Sequence, residues 1–252
     1  MKQDLLYLKK LFSEPFRVVK AGGQTNRNYI VTLRKPFGKL RARKFFVRLP
    51  WENGVMDRTV EGRNILALSR NKKLKSILPK YYSYILKKKN ILNPKSKETF
   101  NVPDGTVVAE YIAGREFTVK DFRQKKYQER LAKMFCAFHT SGVRLVNKYD
   151  VFRNEVAAYR VAVEKYPTQK IVSRETLAEI KEIERKAKKE LPLSKKGVST
   201  HNDFLLQNFL VGAKEKIYLL DFEYAGFNVR GGVYYDFGFF FADNLFRKPA
   251  IT

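Results

Sequence analysis

The stretch that most constrains this chain runs from Thr200 to Asp243, THNDFLLQNFLVGAKEKIYLLDFEYAGFNVRGGVYYDFGFFFAD. Within it NFLV and KIYLLDF read as two short apolar strands, and Gly212 with the charged AKEK supplies the turn between them. Antiparallel pairing about residues 213 and 214 brings Asn208 and Asp221 to one end of the hairpin, with Asp203 just upstream. Two oxygen ligands there, with a third carboxylate nearby, suit a hard cation that keeps part of its water and is completed by substrate phosphates, as magnesium is on ATP. Phosphoryl transfer needs little else from a protein: a carboxylate to orient the attacking hydroxyl and take its proton, and a metal to spread the developing charge. On this reading Asp203 is the base, and Asn208 and Asp221 hold metal. A buried His with a few acids capping a hairpin is the blander reading. It fits a lone HxD or DF pair better than it fits both, in this order, around one hairpin.

These residues resemble the choline/ethanolamine kinase family, within the larger group that includes aminoglycoside phosphotransferases and has a protein-kinase-like fold. HND with Asn208 is similar to the family's catalytic loop, and DFEYAGFNVRG to its metal-binding segment, in which DFE replaces the DFG of protein kinases. The continuation through Tyr224, Asn228, Arg230 and Gly231 is the more specific part, because it favours choline-type kinases over the wider group. The resemblance implies an α+β, bilobal protein-kinase-like fold, with an N-terminal antiparallel β-sheet lobe and a mainly helical C-terminal lobe. Residues 1–112 would form the nucleotide-binding lobe and 113–252 the catalytic and acceptor-binding lobe. It also implies ATP and Mg2+ as cofactors and transfer of the γ-phosphoryl to the hydroxyl of choline or ethanolamine.

Taken in order, residues 1–12 carry Leu5, Leu6, Leu8, Leu11 and Phe12 among charges, the pattern of a short helix lying on the first lobe. FRVVK and YIVTL read as strands joined by AGGQTNRN, where glycine lets backbone N–H groups approach a phosphate closely. The family's glycine-containing segment matches here, which implies nucleotide contacts for Gly22, Gly23, Gln24, Thr25 and Asn26. KFFVRLPW is a third strand whose alternation puts Lys44, Phe46 and Arg48 on one face. In kinase-like folds a cation on this strand holds the α and β phosphates and pairs with a carboxylate on the next helix. The resemblance assigns the cation to Arg48, with Lys44 as fallback, and the carboxylate to Glu61 in the helix from Asp57 to Arg70. LPKYYSYILK and TVVAEYI are strands four and five, and the second ends where a hinge would present the backbone of Glu110, Tyr111 and Ile112 to adenine.

Beyond Ala113–Gly114–Arg115 the pattern turns helical. TVKDFRQKKYQERLAKMFCAFHTSG reads as one long helix, with Thr118 and Asp121 spaced as a capping box and Phe122, Leu131, Met134, Phe135 and Phe138 on its apolar side. Cys136 is the chain's single cysteine, so it forms no internal disulfide, and its apolar neighbours predict core packing. His139 reads as a structural histidine. FRNEVAAYRVAVEKY and SRETLAEIKEIERKAKKEL are two more amphipathic segments, the latter with Leu177, Ile180, Ile183 and Ala187 along one side.

The acceptor is less determined. A quaternary ammonium calls for aromatic faces and a carboxylate, and the resemblance implies Asp203, Glu223, Tyr224, Arg230 and Asp243 as acceptor contacts, with Tyr234, Tyr235 or Phe240 as further rings. For FGFFF, burial in the second lobe is the better reading of most of these aromatics. Choline kinases continue into helices whose Trp and Tyr close the cage, whereas this sequence ends nine residues after Asp243 and has its only Trp at position 51. Thiamine, a sugar or an aminoglycoside stays open as acceptor, although so basic a second lobe disfavours an aminoglycoside.

The formal net charge of +26 admits a third reading, a catalytically silent protein that binds nucleic acid or an anionic surface. The basic residues are spread along the chain with no nucleic-acid motif beside them, and a binding module has no need of Asp203, Asn208 and Asp221 together, so no specific nucleic-acid partner is expected. No run of ~18 apolar residues occurs, and the charged MKQDLLYLKKLF lacks a signal peptide's apolar core. The expected place is the cytoplasm.

Overall fold

A computed structural model describes residues 2–22, 26–35, 43–51, 57–95, 97–156, 173–191, 193–194 and 196–242. The five predicted N-terminal strands are present as β1 (Phe16–Ala21), β2 (Asn26–Leu33), β3 (Lys44–Pro50), β4 (Tyr81–Leu86) and β6 (Thr106–Glu110), with a two-residue strand, β5 (Lys89–Asn90), added after β4. All pair antiparallel in the order β1-β2-β3-β6-β4-β5. Alternation decides which side of the sheet is covered. Tyr29, Val31 and Leu33 of β2 and Phe45, Val47 and Leu49 of β3 point to one face, where Leu8, Leu11 and Phe12, from α1 (Lys2–Leu11) and just after it, close over them.

The other face is covered by α2 (Arg58–Arg70), whose first turn is capped by the Asp57 carboxylate accepting from the N–H groups of Thr59 and Val60. Ile65 and Leu68 of α2 join Tyr84, Val107 and Ala109 of the sheet in the same core as Phe117, Phe135, Phe204, Phe209 and Phe222. Sheet and helical part are therefore continuous through one core, and the face of α2 that looks into it is the face that meets the site.

After β6 come β7 (Arg115–Glu116), α3 (Val119–Phe122), α4 (Lys125–His139), β8 (Lys148–Tyr149), α5 (Arg174–Glu190), β9 (Val198–Thr200), β10 (Phe209–Val211), β11 (Ile217–Leu219), β12 (Gly226–Asn228) and α6 (Val233–Phe241). Two small sheets, β11-β10-β7 and β8-β12-β9, carry the hairpin and its flanks. Gly114 lets the chain pass from β6 to β7, because a Cβ there would lie 2.3 Å from the Val211 carbonyl oxygen.

Three expectations need correction. The long predicted helix is two, since Gln124 is extended (φ −92, ψ 123) and its break lets Phe122 turn its ring toward Phe240 and Phe241. The capping box of Thr118 and Asp121 is present on the first of them. Cys136 is exposed rather than in the core, because Leu131, Met134, Phe135 and Phe138 occupy the buried side of α4 and residue 136 falls outside that stripe. On α5 the predicted apolar side is only partly used: Ile183 is 65% exposed while Glu184 is buried. That helix is anchored by its C-terminal end, where Arg230 donates to the carbonyls of Lys188 and Leu191, so the anchoring sets its rotation. Most of the amphipathic segment beginning at Phe152 lies outside the described residues, and its start, Phe152–Val156, is a π-helical turn.

Candidate active site

β10 and β11 pair antiparallel with Phe209 opposite Leu219 and Val211 opposite Ile217, and the turn is closed by Gly212 N–H donating to the Lys216 carbonyl at 2.8 Å. One step beyond the ladder, Leu220 N–H donates to the Asn208 carbonyl at 2.9 Å, which sets Asn208 beside the start of DFE as the pairing predicts. Asn208 also closes the loop before it: its Nδ2 donates to the Asp203 carbonyl at 2.9 Å and to Asp203 Oδ2 at 2.8 Å. The nitrogen of the amide is thus committed to Asp203, and the amide oxygen is the atom left to act as a ligand. His201 Nε2–H donates to the Leu220 carbonyl at 2.8 Å, tying the HND segment to the residue before Asp221. Burial pushes that imidazole below its ordinary range, against the opposing pull of Asp236 and Asp203, so it is neutral. Asn202 and Asp221 both adopt left-handed backbone conformations, φ 64 and φ 60, a strain that short polar side chains tolerate and that aims the neighbouring side chains into the site.

Glu61 is the centre of the charged cluster on the sheet side. Its side chain is 1% exposed, its Oε1 lies 2.5 Å from Arg48 Nη2, and its Oε2 lies 2.9 Å from Arg58 Nη1 and 3.0 Å from the Tyr84 hydroxyl, which donates to it. Burial works against the charge of each partner, and the opposite charges outweigh it: Glu61 is held below the usual carboxylate range and the Arg48 guanidinium above its own. Each arginine also faces one carboxylate of the DFE segment. Arg48 Nη1 is 3.7 Å from Asp221 Oδ1, and Arg58 Nη1 is 3.6 Å from Glu223 Oε2.

Those two distances exceed a hydrogen bond, and Asp221 Oδ1 and Glu223 Oε2 are buried without a hydrogen-bond partner among the described residues. The Asp221 side chain is one-third exposed overall, yet its inward oxygen is shut off from solvent. Burial pushes its carboxyl up to about 7; Arg48 acts against this, while Glu223, Glu61 and Asp203 add to it. Carboxylate oxygens buried without a hydrogen bond fit a hard divalent cation. Among the described residues no group of three or more His, Cys, Asp or Glu forms a ready-made metal cage, so a cation here would draw further ligands from water or substrate.

Asp236 resembles the acid that follows RG in the family's motif, and the structure gives it partners that the resemblance did not name. It is fully buried, with Oδ2 accepting from His139 Nε2–H at 2.8 Å and from His201 N–H at 2.9 Å, and Oδ1 from Asn202 N–H at 2.8 Å. It pins α6, α4 and the HND loop to one another. Arg58 is a second such residue. For Arg58 the only signal was its place three residues before Glu61; for Asp236 it was the resemblance to the family's acid after RG, which gave no partner.

The remaining expected residues divide. Gly22 accepts from Asn28 Nδ2 at 2.8 Å, and Asn26 is buried with its Oδ1 accepting from Arg58 Nη2 at 3.2 Å. Gly23, Gln24, Thr25 and Asp243 lie outside the described residues. Glu110 Oε2 accepts from Lys80 N–H at 3.1 Å, and Lys44 stands over the Tyr111 ring at 4.0 Å, away from Glu61. Ile112 sits against Gly212, 3.1 Å from where a Cβ there would be. Tyr224 is 41% exposed, and Tyr234 is 75% exposed. Tyr235 stays with Tyr149, hydroxyl to hydroxyl at 2.9 Å, and Phe240 is core. Arg230 is engaged by Asp150 at 3.3 Å and stacks on Phe152 at 5.2 Å, contacts outside the Asp203 cluster.

Comparison with known proteins gives the family and the fold. The profile of the choline/ethanolamine kinase family matches residues 18–250. No curated protein sequence matches the chain. Among solved structures, choline kinase LicA from Streptococcus pneumoniae is 18% identical, with a TM-score of 0.68 over 97% of this chain and 75% of that one. A choline/ethanolamine kinase family protein from Mesorhizobium loti is 19% identical, with a TM-score of 0.66 over 98% and 72%. A spectinomycin phosphotransferase in complex with ADP and spectinomycin is 16% identical, with a TM-score of 0.56 over 98% and 76%. The α+β, protein-kinase-like fold is common to them.

Proposed function

The chain belongs to the choline/ethanolamine kinase family, and from that premise we propose that it is an ATP- and magnesium-dependent kinase whose acceptor is the hydroxyl of choline or a related amino alcohol such as ethanolamine. The observation that carries the reading is the junction of Asp203 and Asn208 with two buried, unbonded carboxylate oxygens, Asp221 Oδ1 and Glu223 Oε2. A mere hairpin cap would satisfy its buried oxygens.

In this reading residues 1–112 are the nucleotide-binding lobe and 113–252 the catalytic and acceptor-binding lobe. Gly22 to Asn26 cover the phosphates, Arg48 contacts them while Glu61 fixes its guanidinium, and the backbone from Glu110 to Ile112 receives adenine. Complexes of LicA with AMP and of spectinomycin phosphotransferase with ADP support a nucleotide site. Asn208 and Asp221 hold the magnesium, which when bound spreads the charge developing on the transferred phosphoryl group. Asp203 orients the acceptor hydroxyl and takes its proton, with its Oδ2 held by Asn208 Nδ2. Asp243 draws the ammonium toward the exposed ring of Tyr224, Glu223, expected as a further acceptor contact, lies buried against Arg58 instead, and Arg230 braces the acceptor side. No helix among the described residues is long and apolar enough to cross a membrane, and we place the activity in the cytoplasm.

The test is acceptor-dependent ADP release over a panel of choline, ethanolamine and other alcohols, run with Asp203→Ala alongside. The variant is expected to lose about 10²–10⁴-fold in turnover while magnesium–ATP binding stays largely intact. Near-normal turnover in that variant overturns the assignment of the base.

A further inference from the structure

We infer that Arg58 is a positioning residue for the metal-binding segment, a second arginine that holds Glu223 toward the nucleotide site as Arg48 holds Asp221; the inference rests on the reading of the site proposed above. Its place in the chain is the first argument. Arg58 is the first residue of α2, next to the N-cap Asp57, where the helix dipole favours acids and works against a cation. Whatever keeps an arginine there must act through its side-chain partners.

Those partners come from three separate elements. Arg58 Nη1 is 2.9 Å from Glu61 Oε2 and 3.6 Å from Glu223 Oε2, and its Nη2 donates to Asn26 Oδ1 at 3.2 Å, at the start of β2. Its carbonyl accepts from the Tyr84 hydroxyl at 2.8 Å. The stem is held too: Gly105, at φ +85, leaves room that a Cβ would fill at 2.6 Å from Arg58 Cδ. The side chain is 12% exposed and has little freedom to go elsewhere.

Glu61 thereby offers one oxygen to each arginine, and each arginine turns its remaining charge to one acid of DFE. Arg58, Glu61 and Asn64 follow at three-residue spacing along one face of α2. Asn64 extends the attachment: its Nδ2 donates to the Ala225 carbonyl and to Asn147 Oδ1, both at 2.9 Å, and its Oδ1 accepts from Val146 N–H at 2.9 Å. Asn64 fastens the helix to the rest of the chain. Arg58 is the contact that reaches an oxygen of the DFE segment lying buried without a hydrogen bond.

The experiment is calorimetric binding of magnesium–ADP to the full chain and to Arg58→Ala, Glu223→Gln, the double variant and Asn64→Ala. Removing a partner that orients an acid of the metal-binding segment is expected to weaken binding by about 10–100-fold, and the effects of Arg58→Ala and Glu223→Gln are expected not to multiply in the double variant. Asn64→Ala is expected to lower the melting temperature and leave magnesium–ADP binding unchanged. Where Arg58→Ala does not fold, Arg58→Lys takes its place, since one ammonium cannot serve Glu61, Asn26 and Glu223 together. Unchanged binding in the Arg58 variants, effects that multiply, or an equal loss in Asn64→Ala overturns the inference. Turnover enters nowhere in this readout, so a chain that binds magnesium–ADP but phosphorylates no alcohol overturns the acceptor reading alone.

Discussion

Replacing Asp236 by Asn removes one acceptor oxygen from a place that needs two. The carboxylate takes three donors, His139 Nε2–H and His201 N–H on Oδ2 and Asn202 N–H on Oδ1. An amide can keep its oxygen on the first pair, and its NH2 then faces the buried Asn202 N–H. Leaving that donor unpaired costs about 1–3 kcal/mol, and losing charge assistance in the other two bonds costs about 1 kcal/mol each. The sum, about 3–5 kcal/mol, is a large part of the ~5–15 kcal/mol that holds a domain folded. At roughly 2–4 °C per kcal/mol for a chain of this size, the midpoint should fall by about 6–20 °C. Thermal scans by circular dichroism measure this. Turnover taken well below the new midpoint should also drop, because Asn202 precedes Asp203 and a shift of about 1 Å at the base can lose about 10²-fold. A midpoint within about 2 °C of the unaltered chain, with full turnover, refutes the view that Asp236 holds the HND loop in place.

Asp221→Asn tests the strained side of the same site. Its carboxyl, ordinarily near 3.8, is raised to about 7, so the folded state binds this proton more tightly than the unfolded chain does. The associated stability is present in full below the unfolded value and is lost as pH rises through the folded one. The variant should therefore melt higher than the parent at pH 8, the difference should vanish near pH 4, and magnesium-dependent nucleotide binding should be lost throughout; equal melting of both proteins at pH 8 contradicts it. Gly114→Ala should lower the urea midpoint by an amount equivalent to about 1–3 kcal/mol, since the new methyl meets backbone, the Val211 carbonyl oxygen at 2.3 Å and its carbon at 2.9 Å, with no flexible side chain to yield. An unchanged midpoint shows that the β7–β10 contact gives way freely.

What the sequence disclosed follows from how far each interaction reaches along the chain. Strand alternation fixes a face locally, so Phe45, Val47 and Leu49 could be separated from Arg48, and hairpin pairing put Asn208 and Asp221 at one end without reference to anything distant, the register itself setting Asn208 beside Leu220. Capping at Asp57 and Thr118 is local as well. Arg48 and Glu61 met as the family resemblance implied. Asp236 instead gathers donors from residues 139, 201 and 202, and Arg58 gathers acceptors from 26, 61 and 223. No periodicity carries such a convergence, and only the closed fold creates it. Cys136 and Ile183 show the opposite error: apolar neighbours put Cys136 in the core although it lies off the buried stripe of α4, and spacing put Ile183 on an apolar side that the anchoring of α5 by Arg230 leaves exposed.

The charge distribution ties these observations to what the site can bind. With a net charge of +26, the chain should attract a polyanion from any direction, yet at the junction of α2 with the hairpin the balance reverses. Asp203, Asp221, Glu223 and Glu61 meet there, and among the described residues Arg48 and Arg58 are the arginines that face Glu61, Asp221 and Glu223. Both guanidiniums are spent on Glu61, at 2.5 and 2.9 Å, and reach the acids of DFE only at 3.6 and 3.7 Å. Burial raises the Asp221 carboxyl, Arg48 opposes it, and the neighbouring acids Glu223, Glu61 and Asp203 add to the rise. A bare nucleotide would be drawn to this protein and then repelled at its centre, whereas a nucleotide carrying a divalent cation brings the charge that the buried oxygens lack. On the proposed reading, discrimination between the two resides in Glu61, which takes the shorter contact of each arginine and leaves Asp221 Oδ1 and Glu223 Oε2 without a hydrogen bond.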